Sequence, residues 1–207
     1  MVVIHHLNNS RSQRILWLLE ELGAPYEIKF YERDATTNLA PPELKAVHPL
    51  GKSPVIQDGD LKIAESSAAV DYLIRTYGGG TFQPAAGTSD HERYLEWLHY
   101  AEGSGMLPLM LRFYTMRLGD AGEPLKDRID SEANNHLGYV ESELSGRPYL
   151  MGDGLTGADI QMSFVGEVGR ALGYLTNKPN TAAWVGRMHE RPAFKRALEK
   201  GGAYNLA

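Results

Sequence analysis

The alternation of apolar and polar residues predicts that the chain opens as strand, helix, strand. Residues 2–7, VVIHHL, read as a short strand, and Asn8-Asn9 then supplies a turn. The next residues form a helical stripe, made of apolar residues three or four apart: Ile15, Leu18, Leu19 and Leu22. Gly23 ends this helix, and residues 25–32 alternate as a second strand does. If the two strands are parallel neighbours, their crossover should be right-handed.

The next stretch predicts a short helix, a hairpin and a longer helix. The short helix is expected after Pro41-Pro42, and residues 55–57 and 61–64 form strands around the turn at Asp58-Gly59. Ser66 is expected to cap a helix that three glycines, 78–80, close. The predicted order of this first domain, residues 1–78, is therefore β-α-β-α-β-β-α.

A segment rich in glycine, proline and alanine, residues 79–88, is interpreted as a linker. Everything in the second domain, residues 89–207, has a helical pattern, clearest over 124–144. Further helices are expected near 89–118, 157–174, 181–190 and 193–200. Gly103-Ser104-Gly105 and Pro108 should kink or break the first of them. The predicted fold class is α/β followed by an all-α helical bundle.

The sequence LTGADI, residues 155–160, predicts a helix start. Thr156 can cap the backbone, and Asp159 occupies the reciprocal position of a capping box, where glutamate or glutamine is more usual. We interpret this pattern as structural, because it nucleates a buried helix and offers no chemistry of its own.

Composition narrows the possible functions. The 207 residues include no cysteine, which excludes a disulfide framework, a cysteine nucleophile and a zinc–thiolate site. A net charge of −5 without a basic stripe argues against nucleic-acid binding. No apolar run is long enough to span a membrane and no signal peptide is evident, so a cytoplasmic location is expected. Glu96-x-x-His99 is half of a di-iron motif without a second copy, so no metal is expected.

Ser10 is the first candidate for chemistry. Ser10-x-x-Gln13 fits a capping box, which would make the serine purely structural. The same position at a helix N-terminus also favours a bound anion, and the hydroxyl could donate a hydrogen bond to a thiolate. Such a contact lowers a thiol pKa from its usual value of about 8.5. The sequence leaves both interpretations open.

The second candidate is the stretch HPLGKSPV, residues 48–55. Pro54 starts a strand, where a cis peptide bond would turn the backbone of Ser53 outward to pair with an extended peptide. Lys52 could then hold a carboxylate. The alternative is a plain loop proline beside a solvated lysine.

Glu65-Ser66 is the third candidate, because Ser66 lies at a helix mouth that suits a carboxylate while Glu65 could take an ammonium group. The alternative is a helix cap beside a surface acid. Taken together, the three stretches provide for a thiol, a peptide backbone, a carboxylate and an α-amino acid head. That combination outlines glutathione.

With these motifs the chain resembles the cytosolic glutathione transferases along its whole length. The resemblance is carried by GKSPVI, ESSAAVDYL and SRSQRILWLLEELG, in which Ser10 lies four residues before Arg14 as in serine-type members such as the theta and delta classes. The chain looks closer to the bacterial and fungal branch of these than to the tyrosine-type classes. The resemblance implies a thioredoxin-like first domain, thiol activation by Ser10, and glutathione binding by these residues: Lys52, Ser53, Pro54, Glu65 and Ser66. In some relatives a neighbouring polar residue shares the thiol contact, which here could be Asn8, Asn9 or Ser12.

The resemblance also implies a homodimer and a detoxification role, with reduced glutathione as co-substrate and no permanently bound cofactor. The acceptor pocket for a small hydrophobic electrophile would lie between the domains, with candidate walls on the first long helix: Tyr100, Met106, Leu107, Met110 and Tyr114. Ordinary helix packing is the alternative for each of them. Glu102 could reach the glutathione site near the expected dimer interface, and the alternative for it is a surface acid. Glutathione-dependent peroxide reduction and a non-catalytic binding or regulatory role remain alternative functions.

Overall fold

The computed structural model describes residues 1–206, which divide into two compact units. One unit contains Met1–Phe82 together with the chain from His189 onward, and the other contains Gln83–Met188. The sequence predicted that the last helix belongs to the helical domain, but the contacts of this helix assign it to the first unit. Among the described residues, no helix is both long and apolar enough to cross a membrane.

The first unit is built on a four-stranded mixed sheet. Its strands are β1 (Val2–Leu7), β2 (Tyr26–Tyr31), β3 (Val55–Asp58) and β4 (Leu61–Ile63), in the order β2-β1-β3-β4. β1 runs parallel to β2 and antiparallel to β3, and β3 pairs with β4 as the hairpin expected at Asp58-Gly59. The predicted order β-α-β-α-β-β-α and the thioredoxin-like fold class are confirmed.

Four helices belong to this unit: α1 (Ser12–Leu22), α2 (Leu44–Val47), α3 (Ser66–Tyr77) and α9 (Pro192–Gly201). α1 contacts β1, α3 and α9, so it is covered on several sides. For this reason its burial is continuous over residues 12–19, whereas the sequence showed only a stripe. Trp17, outside the predicted stripe, packs edge-on against Phe194 of α9 with ring centroids 5.4 Å apart.

Ion pairs fasten α9 to the end of α1. Glu20 accepts hydrogen bonds from Arg196 Nε at 2.8 Å and Lys200 Nζ at 2.5 Å. Glu21 makes a two-pronged contact with Arg191, at 2.5 and 2.9 Å. Two adjacent carboxylates on α1 therefore hold three cations of the C-terminal segment.

The second unit consists of helices. These are α4 (Ser89–Tyr100), α5 (Met106–Met116), α6 (Glu123–Glu143), α7 (Gly157–Ala171) and α8 (Pro179–His189). A π-helical turn, Ala101–Gly105, joins α4 to α5, and a 3₁₀ turn, Gly119–Gly122, precedes α6. The predicted break near Gly103-Ser104-Gly105 is thus confirmed. Its cause is local, since Pro108 has no N–H to donate to the preceding turn.

The capping box at the start of α7 is present and is more than a cap. Asp159 is completely buried and accepts hydrogen bonds from the Thr156 N–H at 3.0 Å, the Leu150 N–H at 2.9 Å and Trp184 Nε1 at 2.9 Å. One carboxylate therefore joins the helix start to the preceding loop and to α8. Such a group is stabilising only while all of its partners are in place.

Replacement of Asp159 should destabilise the fold markedly. Asp159→Ala leaves four donors without their acceptor, namely the N–H groups of Leu150, Thr156 and Trp184 Nε1 and the Thr156 hydroxyl. We expect the free energy of unfolding to fall by roughly 3 kcal/mol. Urea denaturation measures this loss, with Asp153→Ala, at an exposed aspartate of the loop before α7, as the matched control. Equal midpoints for the two variants would contradict the role given to Asp159.

Acid should loosen α9 through Glu20. Burial alone would raise the pKa of the Glu20 carboxyl, but Lys200, Tyr26 and Arg196 outweigh burial and lower the pKa to about 2. A depressed folded-state pKa gives stability that is present above the ordinary value of 4.5 and is lost as the pH falls toward 2.

Glu20→Gln should therefore cost roughly 1 kcal/mol of unfolding free energy at pH 7 and progressively less below pH 4.5. Denaturation curves across this pH range compare Glu20→Gln with Glu27→Gln, a change at an exposed glutamate of β2. A deficit of Glu20→Gln that stayed constant with pH would show that the Glu20 carboxylate has another role.

Candidate functional site

The carboxyl end of β1 is the point where two of the three candidate stretches meet. The N–H of Leu7, the last residue of β1, lies 3.3 Å from the hydroxyl oxygens of both Ser12 and Ser53. Ser53 Oγ also donates to the carbonyl of His5 at 2.8 Å. The segment that leads into α1 and the segment that precedes β3 are therefore both fixed to one strand end.

Ser10 is not the N-cap of α1, which was one of the two interpretations that the sequence left open. α1 begins at Ser12, with Arg11 in helical conformation at the cap position and no capping side chain. The Ser10 hydroxyl instead accepts from the Ser12 N–H at 3.2 Å, and the Gln13 N–H binds the Ser10 carbonyl at 3.1 Å. The Ser10 hydroxyl thus binds the N–H two residues later, in a local turn. This bond replaces the one to the N–H three residues later that a capping box would have. Ser10 remains at the mouth of α1 and is 6% exposed.

The other polar residues near Ser10 are either buried or hydrogen-bonded through their side-chain oxygens. The side-chain oxygen of Asn8 accepts from the Arg33 N–H at 3.2 Å, and that of Asn9 accepts from the Asn205 N–H at 2.7 Å. Ser12 is completely buried. Of the two serine hydroxyls, that of Ser10 is therefore the one that is not completely buried.

The peptide bond between Ser53 and Pro54 is cis, as the sequence and the resemblance led us to expect. Within residues 1–206, the backbone N–H and C=O of Ser53 take part in no turn, cap or ladder hydrogen bond. Ser53 is half-buried, whereas Lys52 is exposed. This arrangement leaves a short edge of backbone beside an exposed cation.

Glu65 and Ser66 occupy different helix positions from those predicted. α3 begins at Ser66, so Glu65 and not Ser66 is the residue before the helix, and its side chain makes no capping hydrogen bond. Glu65 has a φ of 67°, an uncommon conformation for a residue with a side chain. Its carboxylate is exposed. Backbone strain of this kind is often found at ligand-binding positions.

Arg14 is the residue of the site that sequence analysis did not assign. It is buried within α1, and its Nη2 donates to the Ser66 hydroxyl at 2.8 Å. This bond brings the N-terminus of α3 to the N-terminal turns of α1. The available signal was an arginine within an otherwise apolar helical stripe, a position where a charge needs a partner.

The electrostatics of this region favour an anion. The N-terminal ends of α1 and α3 each present the positive end of a helix dipole. Arg14 adds a full charge between the two helices. A carboxylate or a thiolate is the kind of ligand that such an arrangement stabilises.

The five predicted acceptor residues lie in the helical unit and differ in exposure. Met106 is buried, and the hydroxyl of the half-buried Tyr100 lies 2.7 Å from Nδ1 of His136. Leu107 and Tyr114 are more than half exposed, and Met110 lies partly exposed between them on α5. Two of the five are thus engaged within the unit, and three form an accessible apolar strip.

Comparison with known proteins gives consistent matches along the chain. Residues 1–75 match the family described as Glutathione S-transferase, N-terminal domain, and residues 103–192 match Glutathione S-transferase, C-terminal domain. The chain is 35% identical to Glutathione S-transferase 3 of Schizosaccharomyces pombe, over 97% of this chain and 88% of that protein.

Two solved structures extend this comparison. A glutathione S-transferase from Actinobacillus pleuropneumoniae has a TM-score of 0.88 and 36% identity, covering all of this chain and 95% of the other. A glutathione transferase from Phanerochaete chrysosporium, solved with oxidized glutathione, has a TM-score of 0.82 and 26% identity, covering 97% and 94%.

The link between Ser53 and β1 can be tested by stability. Ser53→Ala removes the hydroxyl that joins the His5 carbonyl to the Leu7 N–H, and we expect a loss of about 1 kcal/mol of unfolding free energy. The matched control is Ser145→Ala at an exposed serine after α6. Chemical denaturation of both variants checks the expectation, which an unchanged Ser53→Ala midpoint would refute.

Proposed function

The chain belongs to the glutathione S-transferase family and is a transferase enzyme, and we propose that the Ser10 hydroxyl holds the sulfur of its glutathione co-substrate. In the proposed reaction, the bound thiol gives its proton to solvent and the thiolate attacks an electrophilic carbon. A carbon–sulfur bond forms, and the leaving group departs with the bonding electron pair. The protein contributes thiol ionisation and proximity.

The observation that carries this proposal is the position of Ser10. It lies at the mouth of α1, beside the positive end of the helix dipole. Of the two serines at this position, Ser10 is the more suitable, because Ser12 is completely buried. The side chains of Asn8 and Asn9 are oriented by the hydrogen bonds that their oxygens accept from the Arg33 and Asn205 N–H groups. The serine-type assignment rests on this comparison of side chains.

The rest of glutathione fits the remaining groups by charge. The γ-glutamyl carboxylate would be received at the start of α3, where Ser66 and Arg14 meet, and its ammonium group by the exposed carboxylate of Glu65. The Ser53 backbone, before Pro54, would pair with the cysteinyl unit, and Lys52 would attract the glycine carboxylate. These assignments share one property, which is that each ligand group meets a protein group of opposite charge or complementary hydrogen-bonding capacity.

For the electrophile we propose the apolar strip of α5, formed by Leu107, Met110 and Tyr114. Methionine and aromatic side chains adapt to varied apolar shapes, which suits small hydrophobic acceptors. Met106 is not part of this strip because it is buried, and Tyr100 is not part of it because its hydroxyl is engaged by His136.

A homodimer and a cytoplasmic location, both implied by the family, complete the proposal.

Ser10→Ala should separate thiol activation from binding. Loss of one charge-assisted hydrogen bond raises the thiol pKa by about one to two pH units, so we expect turnover at neutral pH to fall about tenfold to a hundredfold. Glutathione affinity should change little, because the hydroxyl contacts only the sulfur. Calorimetric titration with reduced glutathione and steady-state conjugation of an aryl halide measure the two effects.

The control for this experiment is Ser163→Ala, since Ser163 is a buried serine of α7 whose hydroxyl binds the Ile160 carbonyl at 2.9 Å. Wild-type turnover in Ser10→Ala would overturn the assignment. Failure of the wild-type protein to bind glutathione would instead favour a non-catalytic member of the fold. If hydroperoxides react while halides and epoxides do not, peroxide reduction is the main activity.

A further inference from the structure

A chain of hydrogen bonds runs inward from Ser10 to the end of α9. The hydroxyl oxygens of Ser10 and Ser12 are 2.8 Å apart, and Ser12 Oγ lies 2.9 Å from Nδ1 of His6. Nε2 of His6 lies 3.0 Å from the carbonyl oxygen of Gly201, the last residue of α9. All four residues are buried, so the chain is shielded from solvent.

The direction of these hydrogen bonds is set at the far end. A carbonyl oxygen can only accept, so the Gly201 contact requires a hydrogen on Nε2 of His6. Burial lowers the pKa of His6. The hydrogen bond to Gly201 raises this pKa but does not outweigh burial, so the imidazole is neutral near pH 7. A neutral ring with its hydrogen on Nε2 has a lone pair on Nδ1. The Ser12 hydroxyl can donate to that lone pair at 2.9 Å or to the Leu7 carbonyl at 3.2 Å, and of these two acceptors His6 is the nearer.

Ser12 then has no hydrogen left for Ser10. Its oxygen accepts from the Leu7 N–H at 3.3 Å and, on the remaining lone pair, from the Ser10 hydroxyl at 2.8 Å. The Ser10 oxygen itself accepts from the Ser12 N–H. The hydrogen of Ser10 is therefore directed into the protein, and what Ser10 presents outward is a lone pair.

The direction of the Ser10 hydroxyl matters for a bound sulfur. A thiol can donate its hydrogen to the Ser10 lone pair, but a thiolate needs a hydrogen-bond donor. We infer that His6 and Ser12, anchored by the Gly201 carbonyl, are positioning residues that hold the Ser10 hydrogen inward and so restrain its donation to a bound thiolate. Ionisation of the thiol then requires the Ser10 hydroxyl to turn and to give up its bond to Ser12. This inference rests on the proposed function of Ser10.

The packing around His6 keeps the hydrogen bonds between Ser10 and Gly201 in the direction described. The ring packs edge-on against Phe30 with centroids 5.8 Å apart, and burial is the largest influence on the pKa of His6. A Cβ on Gly201 would lie 2.7 Å from Leu16 Cδ1 and 2.9 Å from Gln13 Oε1, so glycine permits the close approach of α9. Residue 201 lies beyond the family match that ends at 192.

Two variants release the Ser10 hydrogen by different routes. Ser12→Ala removes the acceptor, and His6→Phe removes the ring nitrogen that commits the Ser12 hydrogen, which can then point at Ser10 or at the Leu7 carbonyl. Both should lower the pKa of glutathione bound to the protein, by up to about one pH unit. The readout is the ultraviolet absorbance of the bound thiolate as a function of pH.

Comparison with other variants separates this effect from general damage. Ser163→Ala should leave the thiol pKa of bound glutathione unchanged, and Ser10→Ala should raise it. If Ser12→Ala and His6→Phe leave it unchanged or raise it while Ser10→Ala raises it, the positioning role is wrong and the proposed function stands. If Ser10→Ala has no effect, the proposed function itself fails.

A measurement on the unaltered protein makes the test independent of how the variants fold. Nitrogen NMR of labelled wild-type protein distinguishes the two neutral tautomers of His6, and we expect hydrogen on Nε2 throughout the range around pH 7. A hydrogen on Nδ1 would reverse the direction of the hydrogen bonds from His6 to Ser10 and overturn the inference.

Discussion

The backbone N–H of Leu7 is the constraint on which the candidate site depends. Leu7 is the last residue of β1, and two serine hydroxyls share its N–H. Ser12 brings the start of α1 to this point, and Ser53 brings the turn before β3. Because one short strand end orients both segments, the separation of the proposed thiol contact at Ser10 and the proposed backbone contact at Ser53 is set by the sheet.

The C-terminal helix has a larger role in the first unit than its position in the chain suggests. α9 packs against α1, and Glu20 and Glu21 hold it through three cations. Its packing changes the character of α1 from amphipathic to almost entirely buried. A helix that joins a unit from across the sequence in this way supplies both a hydrophobic cover and, at Gly201, a hydrogen-bond acceptor for the interior.

Much of the fold could be predicted from the sequence because it is encoded locally. Alternation predicted β1 and β2, Asp58-Gly59 predicted the hairpin, and the capping box predicted the start of α7. The start of α1 was misplaced by one residue, since the Ser10 hydroxyl bonds a neighbour two residues away instead of capping. The bond between Arg14 and Ser66 has no local signature, because its partners are distant in the chain. The same is true of the direction of the Ser10 hydroxyl, which is set by a carbonyl about 190 positions away.

The attachment of α9 to the interior has a consequence for how this protein could evolve or be engineered. If the proposed role of the Gly201 carbonyl holds, substitutions in α9, even at its solvent-facing cations, should alter the sulfur chemistry without changing a residue proposed to bind glutathione. A mutant library confined to the neighbourhood of Ser10 would sample the residues that bind the ligand and leave this control point unexplored. The C-terminal helix therefore offers a route to change reactivity while the recognition surface stays intact.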